Sequence, residues 1–291
     1  MTRLTEPWVK KADGLWHNIK QATTNDPGRT SLIEQDMTGI ADGPMTPAEF
    51  QQALGGTDNN SANFARASVI TDGARRAIRI TIPANTIGTA SGIVQVLPLA
   101  ARAPSIRCSY DIRFGAGFEW SLGGKTPGPS GVALTDSAGN PVPAGLPAGG
   151  QADPEHLGVS GRLMWKRYQV ATNPPTICTY SYHVGQADTF GDNEWWRTTP
   201  QSTPNVGMVA GQWHSYVGDF TLNTVGQANG LLKATLDGAV VLNETAYTFR
   251  DNPGVLWSHL MFSIFRGGNT ASWAAASVGT IDIANLVVTT L

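Results

Sequence analysis

Apolar and polar residues alternate with a period of two along much of the chain, which is the pattern of half-buried β-strands. The segments 76–82 and 105–114 show it clearly, and 260–265 and 278–288 are further strand candidates near the end of the chain. Segment 231–242 predicts a hairpin, because Asp237 and Gly238 at its centre suit the positive φ angles of a tight turn. Many strands without intervening helices predict an all-β fold, a two-sheet antiparallel β-sandwich of the jelly-roll type.

The first 60 residues depart from this alternation. Apolar residues recur there at roughly helical spacing, at Trp8, Leu15, Trp16 and Ile19. The run "TPAEFQQALGG" predicts a short helix, because Thr46 can cap it and Glu49 completes a capping box. We therefore expect residues 1–60 to form a short helical or irregular arm, which docks on a neighbouring protein or on the body of its own chain, and residues 61–291 to form the sandwich domain.

The segment from Thr126 to Leu157 is rich in proline and glycine. Six prolines and six glycines interleave within it. Such a composition predicts a long loop that forms neither strand nor helix, and loops of this length in compact domains are usually functional. The loop begins directly after Lys125, which places this lysine at its root.

Composition narrows the classes of function. The formal net charge is -2 over 291 residues, so the chain lacks the basic field on which nucleic-acid binding relies. No run of about 18 apolar residues predicts a membrane span. The N-terminus lacks the apolar segment of a secretory signal, so we do not expect export by that route.

Cysteine and histidine usage gives no sign of a metal or a cofactor. Cys108 and Cys178 are too few for a disulfide scaffold, and two buried thiols or one bridge between neighbouring strands both remain open. The five histidines are scattered without any paired spacing. We therefore expect no metal and no cofactor.

Two predicted strands carry a set of polar residues on one face each. In "GVSGRLMWK", Ser160, Arg162 and Lys166 share one face, and apolar residues occupy the other. In "TICTYSYH", Tyr180 and Tyr182 share the face opposite an isoleucine. Solvated charges and good strand formers explain such residues taken singly. On adjacent strands, however, they would form one patch of hydroxyl, cationic and phenolic groups.

These motifs, in this order, resemble polysaccharide lyase family 14. The runs that carry the resemblance are "YDIRFGAGFEWSLGGKTPG", "SGRLMWK", "YSYH" and "FRGGNTASWA". The resemblance covers roughly residues 66–291 and implies a β-jelly-roll fold with alginate or glucuronan lyase activity. It implies that five residues match the family's catalytic positions, namely Lys125, Ser160, Arg162, Tyr180 and Tyr182. Candidates for substrate contacts are Arg113, Lys166, Trp195 and Trp273.

The chemistry of β-elimination suits these residue types. The reaction removes the proton beside a uronate carboxylate and expels the glycosidic oxygen. Arg162 can grip the carboxylate through two hydrogen bonds, and Lys125 adds a second positive charge. Tyr182, assisted by Tyr180, would act as base and acid, with nearby cations lowering the phenol pKa. Ser160 would position the substrate, since no base partner is visible for it.

Two functions remain open at this stage. One is a lyase that acts on an acidic, uronate-containing polysaccharide without a cofactor. The other is a non-catalytic glycan-binding or structural subunit of a phage tail or another assembly. The absent signal and the tryptophan-bearing arm favour a virion or tail location, with neighbouring tail proteins or a second copy of the chain as partners. The remaining expectation is a cytoplasmic or non-classically released protein.

Overall fold

The computed structural model describes residues 8–10, 16–18, 29–55, 61–153, 155–168 and 175–291, with side chains described for all of these except 8–10, 16–18 and 61–63. Two large antiparallel sheets account for most of this structure. Their facing surfaces share one hydrophobic core. The prediction of an all-β, two-sheet jelly roll is confirmed. No helix among the described residues is long and apolar enough to cross a membrane.

The first sheet has nine strands. In spatial order these are β16 (Ala239–Tyr247), β15 (Gly230–Leu236), β14 (Trp213–Thr221), β8 (Ser105–Phe114), β18 (Gly279–Thr290), β6 (Arg75–Ile82), β5 (Ala67–Asp72) and β4 (Gly43–Pro44), and β3 (Ser31–Glu34) also pairs with β18. The alternating isoleucines of β6 and β8 are fully buried. This sheet therefore presents its apolar face to the second sheet and its polar face outward.

The second sheet has seven strands. They are β7 (Ile93–Ala103), β17 (Leu256–Arg266), β9 (Gly123–Lys125), β10 (Gly128–Val132), β11 (Gly158–Lys166), β12 (Thr176–Tyr182) and β13 (Asp192–Trp195). The short strands β9 and β10 follow one another between β17 and β11. Trp165, Ile177 and Phe262 point into the common core. The opposite face of this sheet carries a separate small cluster, which is where the candidate site lies.

Strand β10 corrects one prediction from the sequence. Segment 126–157 was expected to form neither strand nor helix, yet residues 128–132 pair with both β11 and β17. Two glycines make this pairing feasible. A Cβ atom on Gly131 would collide with the backbone of Leu256, and one on Gly128 would lie 2.6 Å from Cα of Arg162. Small residues thus allow the backbones to approach closely despite Pro129.

The predicted hairpin is confirmed. Strands β15 and β16 pair around Asp237 and Gly238, whose φ angles are 49° and 84°. Positive φ at both central residues is the requirement of the tight turn inferred from the sequence. The carboxylate of Asp237 also accepts hydrogen bonds from the backbone of Ser215 and from Nδ1 of His214.

Both cysteines are free, buried thiols. Cys108 lies in the nine-stranded sheet and Cys178 in the seven-stranded sheet. Burial raises the pKa of each thiol to about 12. The two alternatives left open by the sequence are thus decided in favour of separate thiols.

The N-terminal region contains the predicted helix but not the predicted helical spacing before it. Helix α1 (Pro47–Leu54) begins with a full capping box between Thr46 and Glu49, which confirms that prediction. In contrast, β1 (Trp8–Lys10) and β2 (Trp16–Asn18) form a short antiparallel pair, so the helical interpretation of these tryptophans is wrong. Leu15 and Ile19 lie outside the described residues. An eight-residue spacing of tryptophans fits a hairpin as well as a helix.

Residues 31–54 contribute to the sandwich core. Strand β3 pairs with β18, and Leu32, Ile33 and Leu54 are buried. The ring of Phe50 packs edge-on against Phe64 and Phe262, with ring centroids 5.2 Å away in both cases. This part of the expected arm is therefore continuous with the sandwich, while docking of the preceding residues on a neighbour or on the chain's own body stays a prediction.

We expect Phe50→Ala to lower the free energy of unfolding by about 3 kcal/mol, because it leaves a cavity between α1 and β17. Urea denaturation of the folded chain measures this loss. The matched control is Gln51→Ala on the exposed side of the same helix, which should change stability by less than about 0.5 kcal/mol. Equal, small effects of both variants would show that α1 does not support the core.

Candidate active site

The five residues matched to catalytic positions share one face of the seven-stranded sheet. Residues directly opposite one another on paired strands point to the same side. Arg162 on β11 pairs with Tyr180 on β12, and Ser160 pairs with Tyr182. Lys125 on β9 pairs with a methionine of β11 that lies on the same face as Arg162. This face points away from the core, and we call it the cleft face.

The charged and phenolic groups on the cleft face lie within a few ångströms of one another. The Lys125 Nζ atom is 4.4 Å from the centre of the Tyr180 ring. The Arg162 Cζ atom is 5.8 Å from that ring and 5.9 Å from the ring of Tyr182. The two phenol oxygens are 3.4 Å apart, and the rings are nearly perpendicular. Two cations and two phenols therefore converge on one small volume.

Neither cation of this group has a carboxylate partner in the described part of the chain. Other arginines do have one: Arg79 and Arg107 each donate two hydrogen bonds to an aspartate. Arg162 is 4% exposed, and its Nε atom is buried without a hydrogen-bond partner. A buried guanidinium without a counter-charge is costly. The site is thus electrostatically complementary to an incoming anion.

Two loops close over the phenols. The backbone N–H of Gly191 donates to the phenol oxygen of Tyr180 at 2.9 Å. The N–H of Gly150, in the long proline-rich loop, donates to the carbonyl of Thr189 at 3.1 Å and joins the two loops. Tyr180 and Tyr182 are consequently 5% and 3% exposed. These two loops narrow access to the phenols.

Comparison with known proteins identifies the family of this chain. The family model described as polysaccharide lyase 14 matches residues 70–286, which is most of the sandwich. The chain belongs to polysaccharide lyase family 14. No curated protein sequence matches the chain.

Solved structures similar to this polysaccharide lyase family 14 chain share its fold. A variant of alginate lyase Aly36B in complex with an alginate trisaccharide matches with a TM-score of 0.69 and 23% identity, over 90% of this chain and 98% of that one. The alginate lyase of Aplysia kurodai matches with a TM-score of 0.62 and 20% identity, over 79% and 88% of the two chains. Alginate lyase vAL-1 from Chlorella virus matches with a TM-score of 0.59 and 14% identity, over 78% and 89%.

Burial reverses one electrostatic prediction for this lyase-family site. Nearby cations were expected to lower the phenol pKa, but the pKa of Tyr180 is raised above its ordinary value. Loss of hydration on burial is the largest cause, and the hydrogen bond to Tyr182 adds to it, while Arg162 acts in the opposite direction with a smaller effect. Tyr180 therefore remains a neutral phenol and a hydrogen-bond donor at neutral pH.

The pKa of Lys125 is well below its ordinary value. Burial is the largest cause, followed by repulsion from Arg162 and then from Lys166. Cations close to one another in a partly dehydrated site disfavour the charged form of the lysine. A carboxylate bound beside Lys125 would offset both effects by supplying the missing counter-charge.

We expect uronate binding to be accompanied by proton uptake at Lys125. Between the lowered pKa of the free protein and the ordinary lysine value of 10.5, the free site binds fewer protons than the complex. Affinity should therefore fall as pH rises through this window. Calorimetric titration with a uronate oligosaccharide in buffers of different ionisation enthalpy measures the protons taken up. Lys125→Met should abolish the uptake, and an unchanged uptake in that variant would contradict the assignment.

Three of the four predicted contact residues lie near the same face. Lys166 donates from Nζ to the side-chain oxygen of Asn193 at 3.1 Å. Trp195 and Trp273 are partly buried and pack on the cluster that contains the two tyrosines. Together they border the cleft face on the side away from Ser160.

Arg113 does not lie with the others, so its predicted role in this cleft is wrong. It belongs to β8 in the nine-stranded sheet, where its neighbours Ile112 and Phe114 point into the core and Arg113 points outward. Its guanidinium pairs with Asp72 and Asp282. A strand pattern defines two faces, but not the sheet to which the strand belongs.

Two further residues on the cleft face were not predicted from the sequence. Ser130 on β10 pairs with Ser160, and His259 on β17 pairs with Ser130, so the three lie in one row with Tyr182. The hydroxyls of Ser130 and Ser160 are buried without partners. Burial and Arg102 lower the pKa of His259 to about 4, so its imidazole is neutral. Alternation along β17 could have identified His259. Residues 260, 262 and 264 are apolar core positions, so residue 259 points to the opposite face.

Among the described residues, no group of three or more histidine, cysteine or acidic side chains could hold a metal ion. The cleft face itself carries cations, phenols, hydroxyls and the imidazole of His259.

Proposed function

We propose that this chain is a polysaccharide lyase that cleaves a uronate-containing polysaccharide by β-elimination. One observation carries the proposal: Lys125 and Arg162 lack anionic partners in the described structure and lie against the paired phenols of Tyr180 and Tyr182. Membership of the family and similarity in fold to alginate lyases support it.

The two cations supply the anion-binding part of the reaction. Arg162 would bind the uronate carboxylate through two parallel hydrogen bonds, because its guanidinium has no carboxylate partner in the described residues. Lys125 adds positive charge where the carboxylate becomes enolate-like as the neighbouring proton leaves. Charge fixed in place before the reaction stabilises such a transition state without reorganisation.

The two phenols divide the proton transfer. Tyr180 is held by the N–H of Gly191 and, as a neutral phenol, can donate its own hydrogen to the oxygen of Tyr182. Tyr182, in its phenolate form and stabilised by this hydrogen bond, then takes the proton from the carbon beside the carboxylate and becomes a neutral phenol. The carbon–oxygen bond to the preceding sugar breaks, a double bond forms in the uronate ring, and Tyr182 returns the proton to the leaving oxygen.

Incubation with a panel of polyuronates tests the proposal. A lyase produces unsaturated sugar ends that absorb ultraviolet light, and absorbance should rise with time on at least one polymer. Binding of glycans without any product would support the non-catalytic alternative instead. One observation favours that alternative, namely the low exposure of Arg162, Tyr180 and Tyr182 beneath the two loops.

Location, docking and oligomeric state are separate proposals. A role in a virion or phage tail, docking through the N-terminal residues, and a homo-oligomeric state would all follow if the chain were an assembly subunit. The molar mass of the purified chain, measured with and without residues 1–28, tests whether these residues mediate assembly.

A further inference from the structure

A cavity of about 590 Å³ opens beside Tyr182. Its walls come from the long proline-rich loop and from the loop that follows β12, the two loops that meet over the phenols. Its size falls within the range of sugar- and drug-sized ligand sites. Tyr182 lines the cavity and Tyr180 does not, so the cavity adjoins the proposed reaction centre on the side of Tyr182.

The charged groups that line this cavity are acidic. Asp153, Glu155 and Asp188 contribute carboxylates, and the described lining residues include no lysine or arginine. Asp153 is held in place by the backbone N–H groups of Leu157 and Gly158. Asp188 accepts a hydrogen bond from the N–H of the residue that follows it. Both carboxylates are therefore fixed features of the wall.

The two histidines of the lining do not offset this charge. His156 contacts Asp251 at 2.7 Å, and His183 contacts Asp192 at 3.0 Å. Each imidazole therefore has a carboxylate partner of its own, and neither partner belongs to the lining of the cavity. The cavity consequently has a negative character, and uncharged hydrogen-bonding groups such as the amide of Gln151 complete its polar lining.

The cleft face has the opposite character. Lys125, Arg162 and Lys166 bring three cationic side chains to it. A polymer that carries a carboxylate on every ring would place one carboxylate among these cations and the next among the acids of the cavity. Like charges brought together in a partly enclosed site repel each other.

We propose that the cavity binds an uncharged sugar, so that the natural substrate alternates uronate with neutral residues such as N-acetylhexosamine. This inference rests on the proposed lyase function and specifies its substrate class. It distinguishes the chain from an enzyme built for a homopolymer of uronates, in which each adjacent ring is charged.

The test compares two polymers at low ionic strength: polyglucuronate, and a polymer in which 4-linked glucuronate alternates with N-acetylglucosamine. We expect kcat/KM to be at least tenfold higher on the alternating polymer. The double variant Glu155→Gln, Asp188→Asn should reduce this preference at least threefold, because it removes two of the three acids. Added salt should reduce the preference for the alternating polymer as well, because it screens the repulsion between carboxylates. The matched control is Glu244→Gln, an exposed charge removal outside the cavity lining, which should leave the preference unchanged.

Binding makes the test independent of turnover. Dissociation constants of the two kinds of oligosaccharide are measured with the Tyr182→Phe variant. Tighter binding of the alternating oligosaccharide supports the inference even if neither polymer is cleaved, an outcome that would overturn the lyase function alone. Equal or tighter binding of the homopolymer, with no response to the double variant, overturns the inference while leaving the lyase function standing.

Discussion

Replacement of Tyr182 by phenylalanine should lower kcat by a factor of about 10² to 10⁴, the usual contribution of a general acid–base group. The hydroxyl is the group that would accept and return the proton, and the ring would remain to fill its place on the cleft face. Substrate affinity should change by less than about threefold. The initial rate of ultraviolet absorbance, together with the dissociation constant of an oligosaccharide, measures both quantities.

Two control variants make this experiment specific. Tyr168→Phe alters an exposed tyrosine that packs on Trp195, and its rate should match that of the native chain. Tyr180→Phe removes the hydrogen bond to Tyr182, and its rate should be intermediate. A native rate in Tyr182→Phe would remove this residue from the proton transfer.

Replacement of Arg162 by alanine should cost about 3 kcal/mol of transition-state stabilisation, the typical effect of losing one preorganised charge-stabilising donor. Arg162→Lys should restore part of the rate only, because an ammonium group cannot make the paired, planar contact. The ratio of kcat/KM values measures the loss. A variant with native kcat/KM would show that the guanidinium does not bind the carboxylate.

Arg162 should also reduce the stability of the ligand-free chain. It is 4% exposed and has no counter-charge in the described structure, so Arg162→Met should raise the free energy of unfolding by about 1–3 kcal/mol. Arg107 provides the matched control. Arg107→Met leaves the carboxylate of Asp219 without its partner and should destabilise the fold. Thermal unfolding of the native chain and of the two variants measures both changes. A gain in stability marks the arginine as a binding residue, and a loss marks it as a structural one.

The parts of the fold that were predictable from the sequence depend on local patterns. Alternation identified the strands, and the shared face of Tyr180 and Tyr182 followed from their spacing of two, because a strand fixes the side to which each residue points. The capping box identified α1 in the same way. Each of these features is determined by residues close together in the chain.

The parts that were not predictable depend on contacts between distant segments. The placement of Arg113 required knowing to which sheet β8 belongs. The pairing of β10 required the close approach of strands β11 and β17 at Gly128 and Gly131. The raised pKa of Tyr180 depends on burial beneath two loops, one of which comes from a segment more than 25 residues earlier in the chain.

The most direct measurement is a crystal structure of the Tyr182→Phe variant with a bound uronate oligosaccharide. One uronate carboxylate should lie about 2.8 Å from the guanidinium nitrogens of Arg162, with Nζ of Lys125 on its other side. A carboxylate bound elsewhere on the molecule, with Arg162 and Lys125 still facing one another across an empty cleft, would contradict the account.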